Sequence, residues 1–336
     1  MENIRSKLQD IYGRKEISKL QDIVKDAFRD YFLSKGYIYH DPAPLISPDK
    51  TVIFTCSSTN IVKPIIISGD YPPANGFIIT QECLRNHALK HAFDNNWLPF
   101  GQAYFNMSTI LSKPSRFKEV VAEASEFTVN TLGVNPSEVI IKSTKKLDEL
   151  RDIDKYTPIH VEYDTNNGEY YDWTYGIPEM YGEGVTISIR NSVDDSYLDV
   201  GNIVRILDYH RNERGIEFGY GHEFLLSTLL GIENPLSLSP IFELFPFHPD
   251  LSSKYYGYLE VIARIKKAKA NLTENRGAGG IYRKYLKSFQ YMGNALGKDI
   301  DTMISEISRY YEHISSQPVG FSLEQKLLKN IIRKVN

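Results

Sequence analysis

The chain has 336 residues, 42% hydrophobic and 24% charged, a globular balance with enough apolar material for one large domain and a smaller one. No apolar run approaches the ~20 residues a bilayer span needs, and the start, MENIRSKLQDIYGRKEISKL, is too polar for a secretory signal, so a cytoplasmic protein with no membrane partner is expected. Net charge is −3 but uneven: residues 251–336 hold fifteen Lys and Arg against seven Asp and Glu, a net of +8 that leaves −11 for the rest. A polyanion-facing tail and a plainly solvated lysine-rich face both fit that asymmetry.

In chain order, Ile17, Leu20, Ile23, Val24, Phe28, Tyr31 and Phe32 recur at helical spacing and Gly36 follows as a stop signal, which predicts an amphipathic helix of about five turns. Three prolines in DPAPLISPDK break it. Short runs rich in β-branched and aromatic residues then predict strands at TVIFTC, GFIITQECLR, GQAYFNM, EVIIKS, PIHVEYD, EYYDWTY, GVTISIR and YLDVGNIVRIL, with a single helix, SRFKEVVAEASEFTVNTLG, among them. Strands with few helices between them favour an antiparallel sheet. From Glu223 onward the pattern is helical, through SSKYYGYLEVIARIKKAKANL, GGIYRKYLKSFQYMGNALG, DIDTMISEISRYYEHI and SLEQKLLKNIIRKV. The expected fold is α+β, an antiparallel sheet flanked by helices over residues 1–235, followed by an all-helical domain over 236–336.

Cys56 and Cys83 are the only cysteines, and neither lies in a metal-ligand spacing, so no protein-held metal is expected. Arg85 ends one strand, and Tyr104, Phe105 and Met107 sit on the next. An arginine beside an aromatic can clamp a phosphate or carboxylate while the ring stacks on a base. On spacing alone the plainer account is a hairpin with a surface arginine. Trp173, beside the glycines of DWTYGIPEMYGEG, fits a pocket wall or an ordinary core position. Asn202 and Glu217 are polar residues within apolar strands and require partners, whether from protein or ligand. The GYGHE stretch at 219–223 is not a dinucleotide fingerprint; it marks a strand turning into a helix, whose N-terminus suits an anion. No Ser/His/Asp order or HExxH pair supports a hydrolase.

Taken in order, these segments resemble the catalytic portion of an alanyl-tRNA synthetase, a class II aminoacyl-tRNA synthetase. PLISPDKTVIFT is similar to that family's first motif. TQECLRNHALKHAFD is similar to the second, Thr-x-Gln-x-Cys-x-Arg followed by Lys-His-Asn-Asp, and YFNM to its Phe-Phe-Glu-Met. WTYG stands where the family has Trp-Glu-Met-Gly, GNIV where it has Trp-Asn-Leu-Val, and EFGYGHEF where it has Asp-Thr-Gly-Met-Gly-Leu-Glu-Arg, the third motif. ENRGAGGIYRKYL is similar to a helix of the tRNA-facing domain. Segments similar to the editing and C-terminal domains are absent from this sequence.

The resemblance implies that ATP, with Mg²⁺ on its phosphates, activates a small amino acid as an aminoacyl-adenylate, and that the aminoacyl group passes to tRNA, a small molecule or a carrier protein. It implies that Arg85 bridges the α-phosphate and substrate carboxylate and that Tyr104, Phe105, Met107, Gly221 and Phe224 line the nucleotide. Trp173, Asn202 and Val204 would line the amino-acid pocket, with Glu217 on the ammonium and Gly219 allowing close approach. Arg276, Arg283, Lys284 and Lys287 would face tRNA. Three departures stand out: Phe224 replaces the third motif's arginine, Asn106 replaces the second motif's glutamate, and Glu217 replaces an aspartate. They leave open a competing reading, an amino-acid-binding regulatory module that no longer turns over ATP. Oligomeric state is not readable.

Overall fold

A computed structural model describes residues 4–315, except 102, 148–149, 165–168, 193–194, 270–271 and 273, together with 320, 321, 324, 326 and 329. It divides into two compact units. The first comprises residues 1–42, 57–81 and 106–233, and the second 43–56, 82–105 and 234–336.

The first unit opens with α1 (Ile4–Gly13) and α2 (Ile17–Ser34). The expected stripe holds in α2: Ile17, Leu20, Val24, Phe28 and Phe32 are buried, and Gly36 beyond its end takes the left-handed conformation, φ 83°, that a chain reversal there requires. After β1 (Ile38–Tyr39) comes α3 (Thr59–Ser68), which sequence patterning does not predict. Its isoleucines are β-branched and Pro64 lies inside it, two features that ordinarily argue against a helix. The expected strand TVIFTC is instead an irregular loop held by one bridge, Ile46 to Phe54.

Among the described residues the sheet contains nine strands: β1, β2 (Gly76–Leu84), β3 (Tyr104–Ser112), β4 (Val139–Thr144), β5 (His160–Asp164), β6 (Asp172–Thr174), β7 (Met180–Arg190), β8 (Tyr197–Asp208) and β9 (Glu213–Gly221). Their order is β1-β2-β3-β9-β8-β7-β4-β5, with β6 paired to β7. The sheet is mixed rather than wholly antiparallel, because β1 with β2 and β4 with β5 run parallel. The long meander β7-β8-β9 and the β3-β9 pair are antiparallel, as expected.

Side chains alternate across the sheet. On one face Phe218 and Tyr220 of β9 meet Phe28 of α2 at ring-centroid distances of 6.0 and 5.3 Å, with Phe127, at the end of α4 (Phe117–Glu126), 5.4 Å from Phe28. Burying each of these rings contributes about 1.5–3 kcal/mol. The opposite face carries a second cluster, Val62, Ile66, Ile79, Leu111, Ile177 and Ile206, against which Tyr71 and Tyr175 pack. β9 then runs into α5 (His222–Leu230), which packs on α1 and α2 and ends at Gly231, φ 67°.

The second unit is built on α6 (Leu251–Lys267), α7 (Gly277–Ala295) and α8 (Ile300–Ser315), which pack on one another. Asp250 caps α6 by accepting the Ser252 amide at 2.8 Å. The helix expected at SLEQKLLKNIIRKV lies largely outside the described residues.

Candidate functional site

In the first unit, strand register gathers most of the expected pocket onto the face opposite the aromatic core. Val204 pairs with Glu217, Asn202 with Gly219, Thr109 with Gly219 and Met107 with Gly221, so these residues share one face of three adjacent strands. Thr186 of β7, opposite Asn202, donates its hydroxyl to Asn202 Oδ1 at 2.9 Å. Trp173 pairs with Gly182. A methyl at Gly182 would lie 2.5 Å from Val204, 2.6 Å from Tyr175 and 3.3 Å from Trp173 Cβ, so the missing side chain is what lets these three residues converge.

Glu217 is partly buried, and three hydroxyls donate to its carboxylate: Tyr175 at 2.8 Å, Thr59 at 3.2 and 3.3 Å, and Ser58 at 3.3 Å. A carboxylate inside a sheet face is tolerable only with such partners. Ser58 immediately precedes α3 yet makes no capping bond; its hydroxyl points instead to Thr109 Oγ1, 2.7 Å away, and to Glu217. Gly219 borders the same cluster, since a methyl there would sit 2.6 Å from Thr109 Oγ1 and 2.9 Å from the Ser108 carbonyl. The glycine therefore serves close packing of β9 on β3. Ser58, Thr59 and Tyr175 were not among the expected site residues. A Ser-Thr pair ahead of an apolar run is a helix-start signal that could have flagged the first two.

In the segment that resembles the third motif, Gly221 forms the extended N-cap of α5. Glu223 is buried in the first turn, where a negative charge suits the helix dipole. Its Oε1 accepts Gln21 Nε2 at 3.0 Å and the Asn106 amide at 3.2 Å, while Asn106 Nδ2 donates to Gln21 Oε1 at 2.5 Å. Asn106 is thus bound into this amide-carboxylate network. Phe224, the next residue, is 38% exposed. Met107 is partly buried, and Ser58 Oγ lies 3.9 Å from its sulfur. Burial, with Lys25 adding to it, pushes His222 down to about 3, so its imidazole is neutral; Nε2 lies 2.7 Å from Ser108 Oγ.

In the second unit, the exposed Arg85 donates from Nε to the Cys56 carbonyl at 3.1 Å and stacks on the Phe105 ring, 4.8 Å from its centroid. This arrangement holds the guanidinium over an aromatic face. Tyr104 is 2% exposed and covered by the Arg264 guanidinium at 4.3 Å, which makes it part of the interior of that unit. On α7, Lys284 and Lys287 are exposed and Arg283 is partly buried against the Glu274 and Gly279 carbonyls, while Arg276 is the exposed N-cap. The exposed Tyr291, one turn beyond Lys287, meets Phe93 edge to face at 5.5 Å.

Among the described residues no group of three or more His, Cys, Asp or Glu is placed to hold a metal ion. Among the same residues no helix is long and apolar enough to cross a membrane.

No family model matches the chain. It is 23% identical over 318 residues to an alanine–tRNA ligase of Synechococcus sp., covering 82% of this chain and 34% of that protein. To the alanine–tRNA ligase of Prochlorococcus marinus it is 23% identical over 331 residues, covering 85% and 36%. The chain spans about a third of the length of these curated relatives. Among solved structures, an asparaginyl-tRNA synthetase of Entamoeba histolytica in complex with asparaginyl-adenylate aligns at TM-score 0.43 and 11% identity over 70% of this chain and 69% of that one. A threonyl-tRNA synthetase RNA-binding domain from Cryptosporidium parvum aligns at TM-score 0.43 and 9% identity over 64% of each. In sequence the chain is similar to alanine–tRNA ligases over about a third of their length.

Proposed function

We propose that the chain activates a small amino acid, of alanine, glycine or serine size, with ATP and transfers the aminoacyl group to an acceptor. A substrate carboxylate oxygen attacks the α-phosphorus, the bridging P–O bond to the β-phosphate breaks, and pyrophosphate leaves with the electron pair. The observation that carries this reading is the convergence of Trp173, Asn202, Val204 and the hydroxyl-held Glu217 on one sheet face. An oriented carboxylate suits an ammonium, Asn202 supplies a neutral polar contact, and Trp173 and Val204 limit side-chain size.

In this reading Arg85 offsets charge on the α-phosphate and substrate carboxylate, with its guanidinium preset by Phe105 and the Cys56 carbonyl. Phe105, Met107, Gly221 and Phe224 serve the adenosine. Amino-acid-dependent exchange of pyrophosphate into ATP tests the reading. Exchange with one of the small amino acids, lowered ~10²–10³-fold in Arg85→Ala, supports it; no exchange with any of the twenty overturns it.

Phe224 favours one second reading, because an exposed phenyl at that position brings no charge to a γ-phosphate. Amino-acid binding without exchange would identify a regulatory module. For the acceptor, Lys284 and Lys287 on the open face of α7 make tRNA the first candidate. Steep loss of tRNA binding with salt supports it, and a flat response points to a small-molecule or carrier acceptor.

A further inference from the structure

We propose that Tyr175 is a positioning residue for amino-acid recognition, its hydroxyl fixing the Glu217 carboxylate so that the two side chains act as one unit in receiving the substrate ammonium. The proposal rests on the amino-acid-activation reading and deepens it.

Tyr175 is anchored at both ends. Its ring packs on the cluster of Val62, Ile66, Ile79, Leu111, Ile177 and Ile206 and lies over Gly182, where a methyl would stand 2.6 Å from its Cε2. Its hydroxyl makes the shortest of the hydroxyl contacts described above for Glu217, 2.8 Å to Oε2. A phenol held by its ring in a packed cluster has little freedom to lose when it donates. Thr59 touches both carboxylate oxygens at longer range, and Ser58 shares its single proton between Glu217 and Thr109. Tyr175 is therefore the strongest constraint among these three on how the carboxylate plane is turned.

The sequence places both members of the pair at departures from the motifs it resembles. WTYG puts Tyr175 where Trp-Glu-Met-Gly has methionine, and Glu217 stands where the third motif has aspartate. A methionine has no proton to donate, and an aspartate carboxylate, one methylene shorter, would draw back from a hydroxyl at Tyr175. The longer acid and the phenol that meets it make sense together.

The pair is tested by calorimetric titration of the full chain with alanine, glycine and serine, together with steady-state exchange kinetics. Tyr175→Phe keeps the ring and removes only the proton that Glu217 accepts. It should raise the amino-acid Kd and KM about tenfold, while kcat, the ATP KM and the melting temperature stay near the wild-type values. Glu217→Asp should have an effect of similar size. The double variant should be no worse than the more impaired single one, because the bond can be lost only once. Multiplied effects in the double variant, or a Tyr175→Phe protein indistinguishable from wild type, would overturn the pairing while leaving the activation reading intact. Failure of the wild-type chain to bind any of the twenty amino acids would overturn both.

Discussion

The two units use charge in opposite ways. In the first, Glu217 sits on a sheet face with neutral hydroxyls turned toward it, which orient the carboxylate without neutralising its charge. In the second, several of the basic residues behind the +8 of the C-terminal region serve the interior. Lys254 is fully buried, donates to the His91 and Asp94 carbonyls at 2.7 and 2.6 Å, and lies over the Trp97 ring; burial pulls its ammonium pKa down, against the opposing pull of Asp94. Arg264 lies against Tyr104, Tyr310 and the buried Glu260, and Lys266 and Lys298 pair with Glu324 and Glu306. Net charge therefore overstates the surface available to a polyanion. The exposed cations on α7 are the ones to weigh.

The largest expected effect breaks the buried side of this comparison. Arg264→Ala strips the cation 3.7 Å from Glu260, whose carboxyl burial already pushes up, and should cost about 3–5 kcal/mol in urea unfolding. A loss below ~1 kcal/mol would mean that Ser239 and Tyr310 satisfy Glu260 unaided. On the catalytic side, Arg85→Ala should lower exchange by ~10²–10³-fold, the scale of removing one preset donor from developing charge, with the melting temperature unchanged because the side chain is exposed.

A smaller effect comes from His222, buried and neutral beside Ser108. Its folded pKa of about 3 lies below the ~6.5 of a free imidazole. The unfolded chain therefore takes up a proton that the folded chain refuses. The associated stability is fully present above pH ~6.5 and is lost as pH falls toward 3. Melting curves at pH 7 and 5 should differ less for His222→Gln than for wild type; equal differences would place the acid sensitivity elsewhere. The smallest effect concerns α7: if tRNA is the acceptor, replacing Lys284 and Lys287 by alanine should reduce the salt slope of its binding by about two. An unchanged slope would remove that face from the interface.

What could be read in advance follows the range of the interactions. Alternation along YLDVGNIVRIL and GIEFGYG already puts Asn202 with Val204, and Glu217 with Gly219, on common faces, and the periodicity of α2, α6, α7 and α8 is equally local. The hydroxyls that hold Glu217 come from 159, 158 and 42 residues away, and no local pattern announces them. Helix α3 was hidden because its β-branched residues and Pro64 contradict its conformation, which packing against β9 supports. The Asn106–Gln21–Glu223 network was hidden for the same reason as the hydroxyls: it joins three segments far apart in the chain.

The most direct test of amino-acid activation is to mix the chain with ATP, Mg²⁺ and each amino acid in turn, quench, and measure adenylate by mass spectrometry. The proposed function predicts an aminoacyl-AMP from a small amino acid such as alanine, glycine or serine, formed ~10²–10³-fold more slowly by Arg85→Ala. Its absence with all twenty amino acids, from a folded chain, would contradict the proposed function.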